Sequence, residues 1–326
     1  MIKDILDSVR KTNPIVHNIT NYVAANDCAN ITLACGGSPI MSDDPEEVEE
    51  ITTLCNALVM NLGTLNPRKL EAMIKAGRRA NKLKHPVILD PVGIGASSFR
   101  QQAVKELLNT VDFQVIKGNI SEIKTIGKKK TICKGVDASE IESITEDNIE
   151  GAITLATELS KDLGAIIAIT GAIDIVADKD LVYIIRNGHP SMRNVTGTGC
   201  MLSSIIGVLV GANPHKILDA TVTAFCIMGV CGELAYNKIV EKFQGSGSLK
   251  IHLIDSVSNI DYKILEEKIK IEKFFARCKK GERPKKDAKD INLAIKMYNS
   301  KSCNISEITK ATGISKTTLY QYINNK

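Results

Sequence analysis

In the first ten residues Ile2, Ile5, Leu6 and Val9 recur at helical spacing, with Pro14 as a stop, and this predicts an opening helix. After it, short β-prone apolar runs alternate with helical patterns. ALVMNLG (57–63) is followed by a helix over Pro67–Leu83, HPVILDPVG (85–93) by another helix, DFQVIKGN (112–119) by a helix from Ser121, and GAIIAITG (164–171) closes the series. Such alternation predicts βαβ units, an α/β fold whose mostly parallel sheet carries helices on both faces. DIVADKDLVYIIR (174–186), with Asp-Lys-Asp at its middle, reads instead as a hairpin at the sheet edge. From Gly199 to about Val240 the pattern is helical and strongly apolar, broken at GANPHK (211–216), which predicts two buried helices.

The pattern changes at Cys278. KKGERPKK (279–286) is a charged linker that cannot bury apolar surface. Beyond it DINLAIKMY has an apolar face, SEITKAT is a short helix, and Gly313-Ile314-Ser315 turns the chain into KTTLYQYI, which together outline a small all-α helix-turn-helix extension. The expected organisation is a main domain over 1–278, a linker over 279–286 and a helix-turn-helix module over 287–326. Charge follows this division. Residues 279–326 hold 11 Lys/Arg against four acids, a net +7, whereas the whole chain is only +5, so the first 278 residues are −2. The basic balance therefore belongs to the tail.

With 326 residues, 44% hydrophobic and 24% charged, the chain can bury a full core, and disorder as the main state is excluded. Aromatic residues are 4% with no Trp, which argues against a base-stacking platform for RNA. The nine Cys are scattered without a CxxC pair or zinc-ligand spacing, and His17, His85, His189, His215 and His252 form no ligand pair, so a reducing cytoplasm is expected. The N-terminus has no continuous apolar stretch and no run reaches the ~18 apolar residues of a membrane span, so neither secretion nor a membrane partner is expected.

Chemistry concentrates in three places. In NGHPSMRNVTGTGCMLSSIIGVLVG (187–211), Thr196-Gly197-Thr198-Gly199 precede an apolar helix beginning near Cys200. Small residues at a helix N-terminus form a phosphate cradle, or equally a Gly-rich turn into a buried helix. No GK[ST] follows, and no GxGxxG follows a first strand, so Walker and Rossmann readings lose ground. LDPVGIGAS (89–97) puts Asp90 at the C-terminal end of a predicted strand, where open α/β sheets bind ligands. VIKGNISEI (115–123) does the same for Lys117, Asn119 and Glu122. Two carboxylates and a lysine at adjacent strand ends suit a hydrated Mg²⁺ and a polyphosphate, although capping is the commoner role for any one of them.

NPIVHNITNYVAANDCAN (13–30), GGSPIMSDDPEEV (36–48), NLGTL (61–65), ILDPVGIGA (88–96), KGNISEI (117–123), AITGAIDIV (168–176) and NGHPSMRNVTGTGC (187–200) together resemble the hydroxyethylthiazole kinases of the ribokinase-like superfamily, over residues 1–276. The resemblance implies a ribokinase-like αβα sandwich, a homotrimer with active sites at subunit interfaces, and ATP-dependent phosphorylation of a thiazole alcohol with Mg²⁺ in thiamine salvage. Carried over, the catalytic cysteine falls on Cys200, where ribokinase relatives usually have aspartate. Substrate contacts fall on Asn21, Met41 and Gly197, nucleotide contacts on Lys117 and Thr170, and the metal region on Asp90 and Glu122. The family usually has Arg before GN; Lys117 keeps the charge but gives up bidentate phosphate binding. Ser191 replaces a common bulky aliphatic, read as a neutral surface change. At a helix N-terminus beside an anion hole, Cys200 is expected to have a lowered thiol pKa, its thiolate orienting or accepting the proton of the substrate hydroxyl.

The family's chains usually end where this one reaches Phe274 or Phe275. NISEITKATGISKTTLYQYINNK resembles the helix-turn-helix of serine recombinases, which implies DNA contacts from Ser315, Lys316, Thr317, Thr318 and Tyr320. A packing module or a fusion remnant are the alternatives. Two further functional readings stand beside the kinase: a DNA-binding regulator using the kinase fold to sense thiazole or ATP, and a kinase for another small alcohol such as a hydroxymethylpyrimidine.

Overall fold

Helix α1 (Ile2–Thr12) buries Ile5, Leu6 and Val9 and ends where Asn13 takes a left-handed φ of 42°, a conformation asparagine tolerates better than most residues. The computed structural model describes residues 1–129, 143–276, 294, 297–298 and 305–312. The chain divides into a large unit, Met1–Ala276, and a small one, Arg277–Lys326, two residues before the expected boundary at 278.

In the large unit the chain continues through β1 (Ile15–Ile19), α2 (Ala25–Ala34), β2 (Ser38–Ile40), α3 (Val48–Leu54), β3 (Ala57–Asn61), α4 (Pro67–Leu83), β4 (Val87–Asp90), α5 (Ser98–Thr110), β5 (Val115–Asn119), α6 (Ile120–Lys129), α7 (Ile149–Leu163) and β6 (Ile166–Thr170). The hairpin β7 (Asp174–Ala177) and β8 (Leu181–Ile185) follows, then α8 (Thr198–Ala212), α9 (Ile217–Glu241), α10 (Ser246–Ser258), α11 (Tyr262–Lys268) and β9 (Ile271–Phe275). The nine strands form one sheet in the order β2-β1-β3-β4-β5-β6-β7-β8-β9. It is parallel from β2 to β6 and antiparallel from β6 to β9. This is the α/β sandwich with a mostly parallel sheet that the alternation predicts.

Alternate residues of the central strands serve opposite faces, as the period of two requires. Val59 joins the core beneath α1, α2, α8, α9 and α10, while Leu58 and Met60 join the core beneath α4, α5, α6 and α7. Helix α4 begins and ends where its sequence signals: the Asn66 side chain accepts from the Lys69 amide, Pro67 opens the first turn, and Lys84 turns left-handed at the end. Helices α8 and α9 are the expected buried pair. By length and composition alone α9 could cross a membrane, contrary to the expectation that no run reaches span length, but 72% of its most apolar stretch is buried inside the protein.

The sequence reading needs three corrections. The hairpin is not at the edge of the sheet, because the chain returns after α11 and lays β9 along β8. Strand β9 is mostly exposed, so its residues lack the apolar alternation that marks a strand. The other edge strand, β2, has three residues and contains Pro39, which lacks a backbone donor and is tolerated at such edges. Strand β1 carries His17 and Asn18, both buried, and their polarity masks its pattern.

In the small unit α12 (Ile305–Thr312) covers the SEITKAT stretch. Ala294, also helical, is buried, as are Ile308 and Thr312. The linker 279–286 and Ser315, Lys316, Thr317, Thr318 and Tyr320 lie outside the described residues.

Helix α8 approaches the sheet at Gly207, where an added Cβ would lie 2.6 Å from Val59 Cγ2 and 2.9 Å from Val16 Cγ1. Both valines belong to central strands that cannot withdraw without disturbing the sheet. Gly207→Ala is therefore expected to destabilise by about 1–3 kcal/mol through overpacking, more than alanine's helix propensity returns. Urea unfolding of both proteins checks this, and an unchanged midpoint would show that the contact is loose.

Candidate active site

The parallel strands end on one side of the sheet, and the polar groups collect there. Asn21 follows β1, Met41 follows β2, Asn61 ends β3, Asp90 ends β4, Asn119 ends β5 and Thr170 ends β6. The N-terminus of α8 closes the group. Gly197 is left-handed at φ 85°, and a Cβ there would meet that of Ala24 at 3.0 Å, so the turn into α8 needs glycine on both counts.

Asn61, which sequence reasoning missed, is the hub. Its Oδ1 accepts from Asn21 Nδ2 at 3.0 Å and from the Gly63 amide at 2.9 Å. Its Nδ2 donates to Asp90 Oδ2 at 2.8 Å and to Cys200 Sγ at 3.3 Å. Every bond an amide can make is thereby used, and only one orientation of the side chain satisfies them. Asn21 Nδ2 also donates to Cys200 Sγ, at 3.2 Å, while Asn21 Oδ1 accepts from the Ala24 amide. Two amide donors thus converge on one sulfur.

Asp90 is fully buried. Its Oδ2 accepts from Asn61, from Lys117 Nζ at 3.0 Å and from Ser203 Oγ at 2.7 Å, whereas its Oδ1 is buried without a hydrogen-bond partner. Lys117, also buried, donates in addition to the Gly199 carbonyl at 3.0 Å and to Ser203 Oγ at 3.3 Å. Burial alone would lower the Lys117 pKa, but the attraction of Asp90, with Cys200 and Glu122 behind it, raises the pKa and keeps the ammonium charged.

Cys200 behaves contrary to the sequence expectation. Burial, reinforced by the Asp90 carboxylate, pushes its thiol above the ordinary range, against the opposing pull of Lys117 and the two asparagine amides. Glu122 forms a capping box: Oε2 accepts from the Asn119 amide at 2.9 Å and the Glu122 amide donates to Asn119 Oδ1 at 2.9 Å, while Oε1 accepts from the Gly93 amide at 2.9 Å. Burial raises its carboxyl despite those amides.

The structure thus brings Asn21, Asp90, Lys117 and Cys200 into one hydrogen-bonded network. Met41, Gly197 and Thr170 stand at the same end of the sheet outside that network, and Thr170 lies opposite Asn119 in the β5–β6 register. Ser191 sits in a helical turn capped by His189, whose Nδ1 accepts from the Ser191 amide and whose ring stacks on Tyr236 with centroids 3.4 Å apart. Ser203, missed with Asn61, stands one turn into α8 from Gly199, where the apolar run concealed it. The polar residue at a strand end was the available signal for Asn61.

His17 organises the segment after β2. Its Nε2 faces the Ser42 carbonyl at 2.9 Å and its Nδ1 the Thr52 hydroxyl at 3.0 Å. The carbonyl requires Nε2–H, so Nδ1 accepts from Thr52 and the ring is neutral. Burial lowers its pKa to about 4.

A sheet with this strand order, polar residues at the C-terminal strand ends and a glycine-rich turn into a buried helix defines a ribokinase-like kinase fold. Residues 6–263 match the model of the Hydroxyethylthiazole kinase family, and the chain belongs to that family. It is 52% identical over 274 residues to the hydroxyethylthiazole kinase of Clostridium acetobutylicum, covering 84% of this chain and 100% of that protein. It is 47% identical to that of Desulfovibrio desulfuricans, covering 79% and 93%. The solved structure of the hydroxyethylthiazole kinase protein from Pyrococcus horikoshii OT3 superposes with a TM-score of 0.74 at 34% identity, covering 84% of this chain and 98% of that one. Residues 281–326 match the Helix-turn-helix domain of resolvase.

Because native His17 takes up a proton only near pH 4, whereas an unfolded histidine does so near pH 6.5, the unfolded chain binds more protons between those values. Stability is therefore lost as pH falls through that window, by about 2 kcal/mol from this residue between pH 7 and pH 5. His17→Gln is expected to be less stable at pH 7 but to lose less on acidification. Urea midpoints at the two pH values check this, and parallel losses in both proteins would contradict it.

Proposed function

We propose that this protein transfers the γ-phosphoryl group of ATP to the hydroxyl of 4-methyl-5-(2-hydroxyethyl)thiazole. The observation that carries the reading is the convergence of Asn21 and Asn61 on Cys200 at the N-terminus of α8, with Asp90 held by Asn61, within the family fold. Phosphoryl transfer asks for positioning and charge stabilisation more than for covalent chemistry. In this reading Cys200 orients the substrate hydroxyl, and its thiolate fraction, favoured by two amide donors, accepts the proton as the oxygen attacks phosphorus. Asn21, Met41 and Gly197 contact the thiazole alcohol, the turn at 197–199 cradles the transferring phosphate, and Lys117 and Thr170 face the nucleotide. Lys117 already serves Asp90, Gly199 and Ser203, so a phosphate contact would require it to share or exchange a partner.

The donor set suits Mg²⁺. Asp90 Oδ1 is buried and unpartnered, which is the form of an oxygen waiting for a cation or a water, and Glu122 lies nearby with one lone pair per oxygen uncommitted. Mg²⁺ held there would neutralise charge on the phosphates. A homotrimer with the site at a subunit interface is supported by Tyr22 and Val23, 66% and 65% exposed immediately after Asn21, apolar surface that a second copy would cover.

Steady-state assays with the thiazole alcohol and Mg-ATP test the reading. Cys200→Ala is expected to lower kcat by about 10²–10⁴, and Cys200→Asp to keep much of the activity. With the thiol raised above its ordinary range, the wild-type rate is expected to climb from pH 7 toward pH 9 as thiolate accumulates, and the Cys200→Asp rate to stay flat. An alanine variant as active as wild type would remove Cys200 from the reaction.

A second reading concerns the tail, where the resolvase-type match over 281–326 coincides with the basic segment. We infer that this module binds duplex DNA through Ser315, Lys316, Thr317, Thr318 and Tyr320. Full-length protein is then expected to retain a fluorescent duplex at low salt and to release it steeply as salt rises, through counterion release. A chain ending at Ala276 should retain none and keep its kinase rate. Equal, negligible retention by both at low salt would eliminate DNA binding.

A further inference from the structure

We infer that Lys69 of α4 is a positioning residue for the alcohol pocket, a buried ammonium that fixes the segment around Asn21 and the segment after Met41 at one separation. Lys69 is 1% exposed and is the largest fully buried side chain among the described residues. Its Nζ donates to the Thr20 carbonyl at 2.8 Å, lies 4.1 Å from the centroid of the Tyr22 ring and sits 3.5 Å from Asp43 Oδ2. Thr20 and Tyr22 bracket Asn21, and Asp43 stands two residues after Met41. Carbonyl, π face and carboxylate thus occupy one cation between the two segments to which the alcohol contacts are assigned.

The charge is costly there and has a narrow use. If only packing were needed, a Leu or Met at this position of α4 would fill the space without desolvating an ammonium. The ammonium instead meets three groups, each on one of the two loops. Its neighbours on α4 reach the same segment from outside: Arg68 pairs with Asp44 at 2.7 Å and Lys75 Nζ donates to the Pro45 carbonyl at 3.3 Å. The Arg68 pair is exposed and contributes little, whereas the Lys69 side chain is itself buried. Burial pulls its pKa down and Asp43 opposes the fall, so the carboxylate that anchors the second loop also helps keep the anchor charged.

The proposal rests on the reading that Asn21 and Met41 touch the thiazole alcohol, and the test separates the two. Lys69→Met keeps the stem and removes the charge. It is expected to raise the KM for the alcohol about tenfold, with a smaller fall in kcat and the KM for ATP changed less than about twofold, because displaced loop contacts weaken alcohol binding first and reach Cys200 only through Asn21. Asp43→Asn should raise the same KM by a smaller factor, and the double variant should add little to Lys69→Met. Asn21→Ala and Met41→Ala report on the pocket itself. If they raise the alcohol KM while Lys69→Met and Asp43→Asn leave it unchanged, Lys69 is not a positioning residue. Should Lys69→Met lose affinity for both substrates in proportion to a lowered urea midpoint, its role is merely structural and the proposal is overturned. Should Lys69→Met fail to fold, an unchanged alcohol KM in Asp43→Asn overturns it alone. An unchanged KM in Asn21→Ala and Met41→Ala means that the pocket assignment has failed, and the proposal with it.

Discussion

A carboxylate with no access to water must be compensated or the fold around it fails, and Asp90 imposes that condition on this molecule. Its Oδ2 draws donors from three elements: Asn61 of β3, Lys117 of β5 and Ser203 of α8. Removing any one leaves a buried charge short of a partner, a more serious loss than the bond itself. Compensation therefore ties the ends of β3, β4 and β5 to the start of α8, and the geometry of the candidate site is partly a by-product of neutralising one anion. A point charge with three rotatable hydrogens suits the three separate acceptors around Lys117, and a planar guanidinium does not.

Much of the architecture was legible because local and long-range preferences agree. Helix α4 carries both its caps in sequence, β3 to β6 are apolar runs bounded by turns, and α8 and α9 are buried on nearly all sides. What stayed hidden was set by neighbours distant in sequence. Strand β9 is a strand because β8 offers it an edge. Strand β1 tolerates His17 and Asn18 because Thr52, the Ser42 carbonyl and Ser204 satisfy them. Asp90, Glu122, Lys117 and Cys200 could be singled out by strand-end position and family likeness, but NLGTL gave Asn61 no role, Ser203 and Lys69 carry no motif, and three of the four partners of Asn61 lie 29 to 139 residues away. The thiol illustrates a different limit: sequence shows the helix terminus that would lower its pKa, and only the folded chain shows the burial and the anion that raise it.

The chain joins two units of different character. The large one has near-neutral charge and its polar chemistry is interior. The basic excess resides in the last 48 residues, with 11 Lys/Arg among them, so an isoelectric point averaged over the chain describes neither unit.

The contact of Gly207 with Val16 and Val59 has a metrical consequence. Counting from that contact, Asn21 lies five residues on, two past the end of β1, Asn61 two along β3 and Cys200 seven back along α8, and these are the two donors and the sulfur they meet. The contact is a common origin from which all three are measured, and the helix and the strands act as rulers of fixed rise, about 1.5 Å and 3.3 Å per residue. Removing one residue of α8 between Cys200 and Gly207 would carry the sulfur about 100° around the helix axis while leaving every side chain of the site chemically intact. The tolerance of the candidate site is thus set in the apolar interior, at a position with no chemistry of its own.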